Sequence, residues 1–454
     1  MPQNIRSWRL LIVGALALLL AAPATAQQKT VRIWHTETEP QTVTVLDDLA
    51  RRFEAANPGV KLEIEGLAWA ELEGKIAAAL AAGTPPELSH GQPITCTALQ
   101  AKGLLLPLDE VVQAIGEANV FPHVRRVCNV DGQQFGLAHA VATTMMLYRK
   151  DMADTLGIAQ PESWAELITV ARAMTRDSDG DGKTDVYGVT LSGDNLFINA
   201  MLGELIKANG GALFDQDKRP VVTDRRMIEV LDHLRRLLRF ARPGWEGQSY
   251  LQSYQEFIGG RAATMLFALG RGAGMIERSV PKAMASDATF GVWVKPSGPS
   301  GSAPAVQVDE EPWMLFKNAQ HPKEAIAFLK FFYQDDNYLR YVSTVPIQLL
   351  PITRSVQQSE KYRQSEMFKH WRSWIDAQHS YLEKDQAKPT LVMDWPDLVE
   401  KPYLLDVLNS GILRDMVMEV VIERVEPKAA AEKAQKRLEA LLASKGYIAP
   451  AKSG

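Results

Sequence analysis

Between residues 177 and 185 the chain reads DSDGDGKTD, with carboxylates at Asp177, Asp179, Asp181 and Asp185. Like charges this close repel unless a cation neutralises them, and donors made only of oxygen suit a hard divalent ion. In a DxDxDG loop the first, third and fifth residues supply carboxylates, the seventh a main-chain carbonyl, and a glycine at the sixth makes the sharp turn. Those places are taken by Asp177, Asp179, Asp181, the carbonyl of Lys183 and Gly182, with Asp185 ninth. The twelfth is Gly188, where an EF-hand carries a bidentate glutamate, and the segment after it reads as a strand. The sequence therefore predicts an isolated Ca2+ loop that fixes a helix-to-strand corner, set against the plainer reading of a hydrophilic aspartate-rich turn. Mg2+ fits less well, because its octahedral demand suits fewer protein ligands.

Other chemistry is sparse. HExxH, CxxC, GxxxxGK[ST] and GxSxG do not occur, and the eight histidines are dispersed without ligand spacing. GRGAG at 270–274 would need a glycine at Met275 to read as a dinucleotide loop. Paired carboxylates such as those in DEE 309–311 leave a glycoside hydrolase open, since the separation that matters there is spatial.

The elements that must position these residues follow from composition and periodicity. The chain has 454 residues, 46% hydrophobic and 23% charged, ordinary values for a globular protein of two or three domains. A formal charge of −4 with no long basic run argues against nucleic-acid binding. The N-terminus joins Arg6 and Arg9 to the apolar run LLIVGALALLLAA and then to Ala24-Thr25-Ala26, the pattern of a signal peptide cleaved after Ala26. No cysteine follows the apolar run, so the exported protein is expected without a lipid anchor. Export places Cys96 and Cys128, the two cysteines, where one disulfide is permitted, the alternative being two buried thiols.

After the signal segment VRIWH reads as a strand. Leu46, Leu49, Ala50 and Phe53 form one helix face, stopped by Asn57-Pro58-Gly59. VKLEIE alternates as a second strand, WAELEGKIAAALAAG reads as a helix, and GTPPELSHG is a break followed by a short strand. This β-α-β-α-β order predicts a parallel sheet flanked by helices. Ligands of such sheets bind beyond the carboxyl ends of the strands, which singles out His35-Thr36-Glu37, the Trp69 region and Ser89-His90-Gly91. Further on, Asp131-Gly132 reads as a hairpin turn and Ser163 as the N-cap of a helix striped by Leu167, Ala171 and Met174.

Several motifs in order carry a family resemblance. LARRFEAANPGVKLEIE, AAGTPPELSHG, AKGLLLPLDEVV, DGQQFGLAHAVATTMMLYRKDM, PESWAELITVARAMT and FIGGRAATMLFALG resemble successive passages of the solute-binding proteins of ABC importers, the family that includes maltose-binding protein. The likeness covers about 400 residues. His139 stands where the family usually has proline, and Glu87 where it usually has aspartate. The resemblance implies a two-lobed α/β periplasmic binding protein fold, each lobe a mostly parallel sheet flanked by helices, with ligand held in the cleft and closure about a hinge. Lobe one is expected over 27–140 and 290–335, and lobe two over 141–289 and 336–454. The resemblance further implies a periplasmic monomer that is no enzyme, captures a sugar, oligosaccharide or polyol, and passes it to an ABC permease.

Aromatic faces and hydroxyl-bonding side chains suit such ligands. The residues expected at the cleft are His35, Glu37, Trp69, His90 and Glu310 from lobe one. From lobe two they are Thr143, Asn195, Trp245, Tyr254, Arg271 and Trp395. Trp34, Trp164, Trp293 and Trp313 are expected in the core. Glu310 and Glu311 disfavour an anionic ligand unless Arg271 offsets them. The two other readings are the exported glycoside hydrolase and a calcium-dependent interaction module.

Overall fold

The computed structural model describes residues 28–215, 217–345, 347–384, 387–389 and 403–449. The signal segment and Trp395 lie outside them. Among the described residues no helix is long and apolar enough to cross a membrane.

The N-terminal third folds as its periodicity predicts. Strand β1 (Lys29–His35) is followed by the helix Pro40–Ala56, β2 (Val60–Gly66), the helix Trp69–Ala82 and β3 (Leu88–Ser89). β1 pairs in parallel with both β2 and β3. Leu46, Leu49, Ala50 and Phe53 are buried against the sheet, as their helical spacing requires. β4 (Leu105–Leu106) and the small hairpin β5 (Asn129–Val130) and β6 (Gln133–Gln134) come next. The hairpin turns on Asp131 and Gly132 with positive φ at both, the geometry for which an Asp-Gly pair is suited.

β7 (Gly136–Thr143) completes this first sheet and leads through Thr144 into β8 (Met145–Arg149) of a second one. β9 (Thr264–Ala268) and β10 (Phe290–Trp293) flank β8, both antiparallel to it. Parallel pairing in this lobe comes from isolated bridges, Tyr187 to Ala262 and Thr190 to Met265. The long β11 (Val306–Phe316) then returns to the first sheet, antiparallel to β3, β4 and β7, and β12 (Ala387–Pro389) pairs with its start.

Two expected boundaries differ from this pairing. The expected lobe one resumes at 290, yet β10 belongs to the second sheet because its residues register against β8. The expected lobe two resumes at 336, yet the helix Asp335–Val342 packs on Pro40–Ala56 of lobe one, with Arg340 Nη1 2.8 Å from Asp48 Oδ2 and Tyr341 in the first core. Pairing and packing partners, which sequence order does not disclose, decide both.

The first core gathers β1, β7 and β11 with Phe328, Phe332, Tyr341, Trp371 and Trp374. The second surrounds Trp164, Val189, Leu231, Val417 and Leu438. A third, around Trp34, Leu72 and Met314, contains Cys96 and Cys128, which are bonded with a Cα separation of 6.1 Å. Trp34, Trp164, Trp293 and Trp313 are all buried, as expected.

Where the chain crosses between sheets it carries a buried polar knot. Lys295 Nζ lies 2.5 Å from Glu204 Oε2 and 3.2 Å from Thr144 Oγ1, while the Gln307 N–H donates to Glu204 at 2.6 Å. Thr144 also donates to Glu204. Burial lowers the Lys295 pKa, opposed by Glu204.

Candidate functional site

The carboxyl ends of β1 and β3 deliver their loops to one place, as expected for this topology. From β1 come His35, Thr36, Glu37 and Glu39, and from β3 comes His90. β7 contributes His139, and β11 contributes Glu311 and Trp313. The helix Asp335–Val342 adds Tyr341. The other lobe supplies Arg271, just after β9.

Arg271 bridges the lobes. Its Nη2 lies 2.5 Å from Glu37 Oε1, and its Nη1 pairs with Glu39. The loop that carries it is held tightly. Leu269 donates its N–H to the hydroxyls of Tyr254 and Tyr250, and Tyr254 donates its own O–H to the Leu269 carbonyl at 2.6 Å. Gly270 passes so close to the segment after the helix Asp335–Val342 that a Cβ there would collide with the Ile347 carbonyl. Only a bare backbone allows that approach.

Behind Arg271 the histidines form a layered cluster. The His90 and His139 rings stack with centroids 4.0 Å apart and planes 7° from parallel, and His90 also packs on Trp313 at 3.9 Å. Backbone N–H groups donate to Nδ1 of His35 (from Glu37, 3.2 Å) and of His90 (from Thr36, 3.4 Å). Both neutral rings therefore carry their proton on Nε2. His139 lies between the Tyr341 hydroxyl, 2.8 Å from Nδ1, and Glu311, 3.0 Å from Nε2.

Burial dominates the electrostatics. It lowers His35 and His139 to about 4 and His90 well below the usual histidine value, and neighbouring positive groups push the same way. Burial also lifts Glu37 and Glu311 to about 7, against the pull of Arg271 and with Glu39 adding repulsion. Arg271 is opposed by its own burial, yet Glu37, Glu311 and Glu39 hold it above its ordinary value. Four buried polar atoms of this cluster have no hydrogen-bond partner: Glu37 Oε2, Glu39 Oε2, His90 Nε2 and Trp313 Nε1. An adjoining cavity of about 670 Å³ opens beside Glu39 and Arg271, bounded by Gln255, Glu277, Thr344, Val345 and Ile347.

Ligand atoms of His90, His139 and Glu311 lie within 4.8 Å of one another, as do those of Asp177, Asp179 and Asp185. The histidine set is poorly shaped for an ion. Stacked rings hold their in-plane lone pairs parallel, and both nitrogens of His139 are already engaged. The aspartate set fits better. Gly180 and Gly182 adopt positive φ, and Asp177 accepts their N–H groups at 2.7 Å, which lowers its pKa. Asp185 accepts from Ser178 and is lowered in the same way. Asp181 instead pairs with the Lys183 amine at 3.3 Å.

Of the residues expected at the cleft, His35, Glu37, His90 and Arg271 come together. Trp69 is half-buried at its helix start and packs on the third core. Thr143 is buried at the crossing and donates its N–H to Gln378. Four other expectations need correction. Trp245 is 3% exposed within the second core, so its face is covered by protein. Asn195 spends its side chain on Leu408 and Asn199. Tyr254 is buried and positions the Arg271 loop without facing the cavity. Glu310 bonds His123 at 2.8 Å, and it is Glu311 that faces His139, because successive strand residues point to opposite faces.

Glu39, Glu311 and Tyr341 complete the cluster without having been expected there, and so does His139. A titratable residue inside the otherwise apolar GLAHAVAT, and adjacent glutamates inside a strand, were the signals available. Both break the burial pattern at a cost only a functional or paired group would justify.

Comparison with known proteins adds context to this geometry. The sequence family described as bacterial extracellular solute-binding proteins matches residues 48–370. A mannitol-binding protein of Pseudomonas aeruginosa is 26% identical over 192 residues, 42% of this chain and 43% of that one. Among solved structures, a ribitol-bound ABC transporter solute-binding protein of Agrobacterium radiobacter superposes with a TM-score of 0.72 at 19% identity, covering 92% of this chain and 99% of that one. The sugar-binding protein MalE of Xanthomonas citri gives 0.72 at 20%, covering 94% and 100%.

Proposed function

The chain belongs to the bacterial extracellular solute-binding proteins, and from that premise we propose that it captures a sugar, oligosaccharide or polyol in the interlobe cleft and hands it to an ABC permease. The observation that carries this reading is Arg271, which reaches from one lobe to Glu37 and Glu39 of the other beside an open cavity. A contact of this kind exists only when the lobes are closed, and a cleft that closes around its occupant is the working principle of hinge-type binding proteins. The open acceptors of Glu37 and Glu39 and the His90 Nε2–H suit hydroxyls, which both donate and accept. The protein acts in the periplasm as a monomer, after loss of its signal segment, and returns its ligand unchanged.

Calorimetry against a panel of sugars, oligosaccharides and polyols tests this. Binding with the ligand recovered intact is expected. Turnover, or silence across the whole panel, overturns the reading.

The aspartate loop is proposed as a structural Ca2+ staple, held by Asp177, Asp179 and Asp185 with Asp181 and the Lys183 carbonyl completing the set. Saturating calcium should raise the melting temperature by about 5 °C, and Asp179→Ala should abolish that rise. An unchanged melting curve after chelation would remove the ion from the loop.

A further inference from the structure

Resting on the binding reading above, the structure permits a sharper statement about the ligand's charge. Three carboxylates, Glu37, Glu39 and Glu311, face one guanidinium, Arg271. The three imidazoles beside them are buried, and a backbone or hydroxyl partner to Nδ1 fixes each ring in place. Carboxyl groups therefore outnumber the one guanidinium where the lobes meet, beside the open cavity. Arg271 reaches one oxygen of Glu37 and one of Glu39, and the second oxygen of each is left buried without a partner. Leaving a carboxylate oxygen buried and open is costly, and charge-assisted hydrogen bonds are the strongest means of filling it.

We propose that the cleft selects ligands bearing a protonated amine on a polyhydroxylated frame, an amino sugar or amino polyol, over their neutral counterparts. An ammonium group presents three donors and a full positive charge, so it fills the open oxygens of Glu37 and Glu39 and balances the third carboxylate together with Arg271. A hydroxyl in the same place donates one hydrogen bond and leaves the charge excess standing. The His90 Nε2–H, an open donor among these buried atoms, is then available to a neighbouring ligand hydroxyl.

Calorimetry at pH 7 on matched pairs tests the idea: glucosamine against glucose, and 1-amino-1-deoxysorbitol against sorbitol. The amine of a pair is expected to bind at least about tenfold more tightly. Glu39→Gln, which keeps Glu37 on Arg271, is expected to weaken the amine more than its neutral partner, so that the ratio of the two affinities falls. Equal or weaker binding of the amines overturns the charge assignment and leaves the sugar and polyol reading intact. If no member of either series binds, the inference falls, while the sugar, oligosaccharide and polyol reading is decided by the wider panel. Should Glu39→Gln fail to fold, salt dependence decides: the amine's advantage must shrink as salt rises from about 0.05 to 0.5 M, and an advantage indifferent to salt counts against it.

Discussion

Replacing Arg271 with alanine is expected to open the unliganded protein and to weaken ligand binding by about 100-fold or more. The guanidinium is the charge that lets Glu37 lie buried, with half-buried Glu39 beside it, between the lobes. Removing one partner of a buried ion pair costs about 3–5 kcal/mol, because the remaining charges lose their compensation. Here the protein has an escape that a rigid core lacks. The lobes can part and return the carboxylates to water, so the cost appears as a shift from closed to open and not as unfolding. Small-angle scattering should show a larger radius of gyration for Arg271→Ala, with the melting temperature changed much less. A variant as compact as the parent, binding its ligand equally well, would show that Arg271 is no closing contact. Arg271→Lys should restore only part of the effect, since an ammonium cannot hold two carboxylates in the fork geometry of a guanidinium.

The second large effect concerns acid. His35, His90, His139 and His233 are all buried, with pKa values lowered to about 4 for His35 and His139, well below normal for His90 and to about 3 for His233. Burial is the first cause in each case. A histidine whose folded pKa is depressed stabilises the fold above its unfolded value near 6.5 and loses that contribution as pH falls toward the folded pKa. Glu37 and Glu311 act in the opposite sense, being lifted to about 7: their contribution is full below the unfolded value and is lost as pH rises through 7. These four histidines, joined by His379, which burial also lowers to about 4, outweigh two glutamates. The net result expected is a loss of a few kcal/mol between pH 6.5 and pH 5. Urea midpoints across that range measure it, and His233→Leu, which removes a ring stacked on Trp164 far from the cleft, should flatten the slope. A midpoint that rises toward pH 5 would mean that the glutamates dominate.

Much of this architecture was legible in the sequence, for reasons that can be named. The helix with Leu46, Leu49, Ala50 and Phe53 and the strands beside it follow from periodicity, which a buried face imposes directly. His35, Glu37 and His90 were reachable because parallel topology sends the ends of β1 and β3 to the same edge. Trp245 and Tyr254 were misplaced because an aromatic beside a loop can face either way, and only the packing of the second core and of the Arg271 loop decides. Glu310 was preferred over Glu311 for a related reason. Strand phase determines which of two adjacent glutamates meets His139, and that phase is altered by the irregular register between Glu310 and Pro312. Tyr341 lay beyond reach, since nothing near it in sequence indicates that its helix docks on lobe one.

The polar knot of Lys295, Glu204, Thr144 and Gln307 has a mechanical meaning. It ties two crossing segments and a lobe-two helix together with an ion pair that has no water to exchange into. A pivot made this way resists sliding and permits rotation, so the lobes are expected to turn as a door on a stiff pin and not as two plates in shear. The displacement of such a door grows with distance from its pin. Rotation about Thr144 should therefore carry the residues most remote from the knot furthest and leave those packed beside it nearly in place.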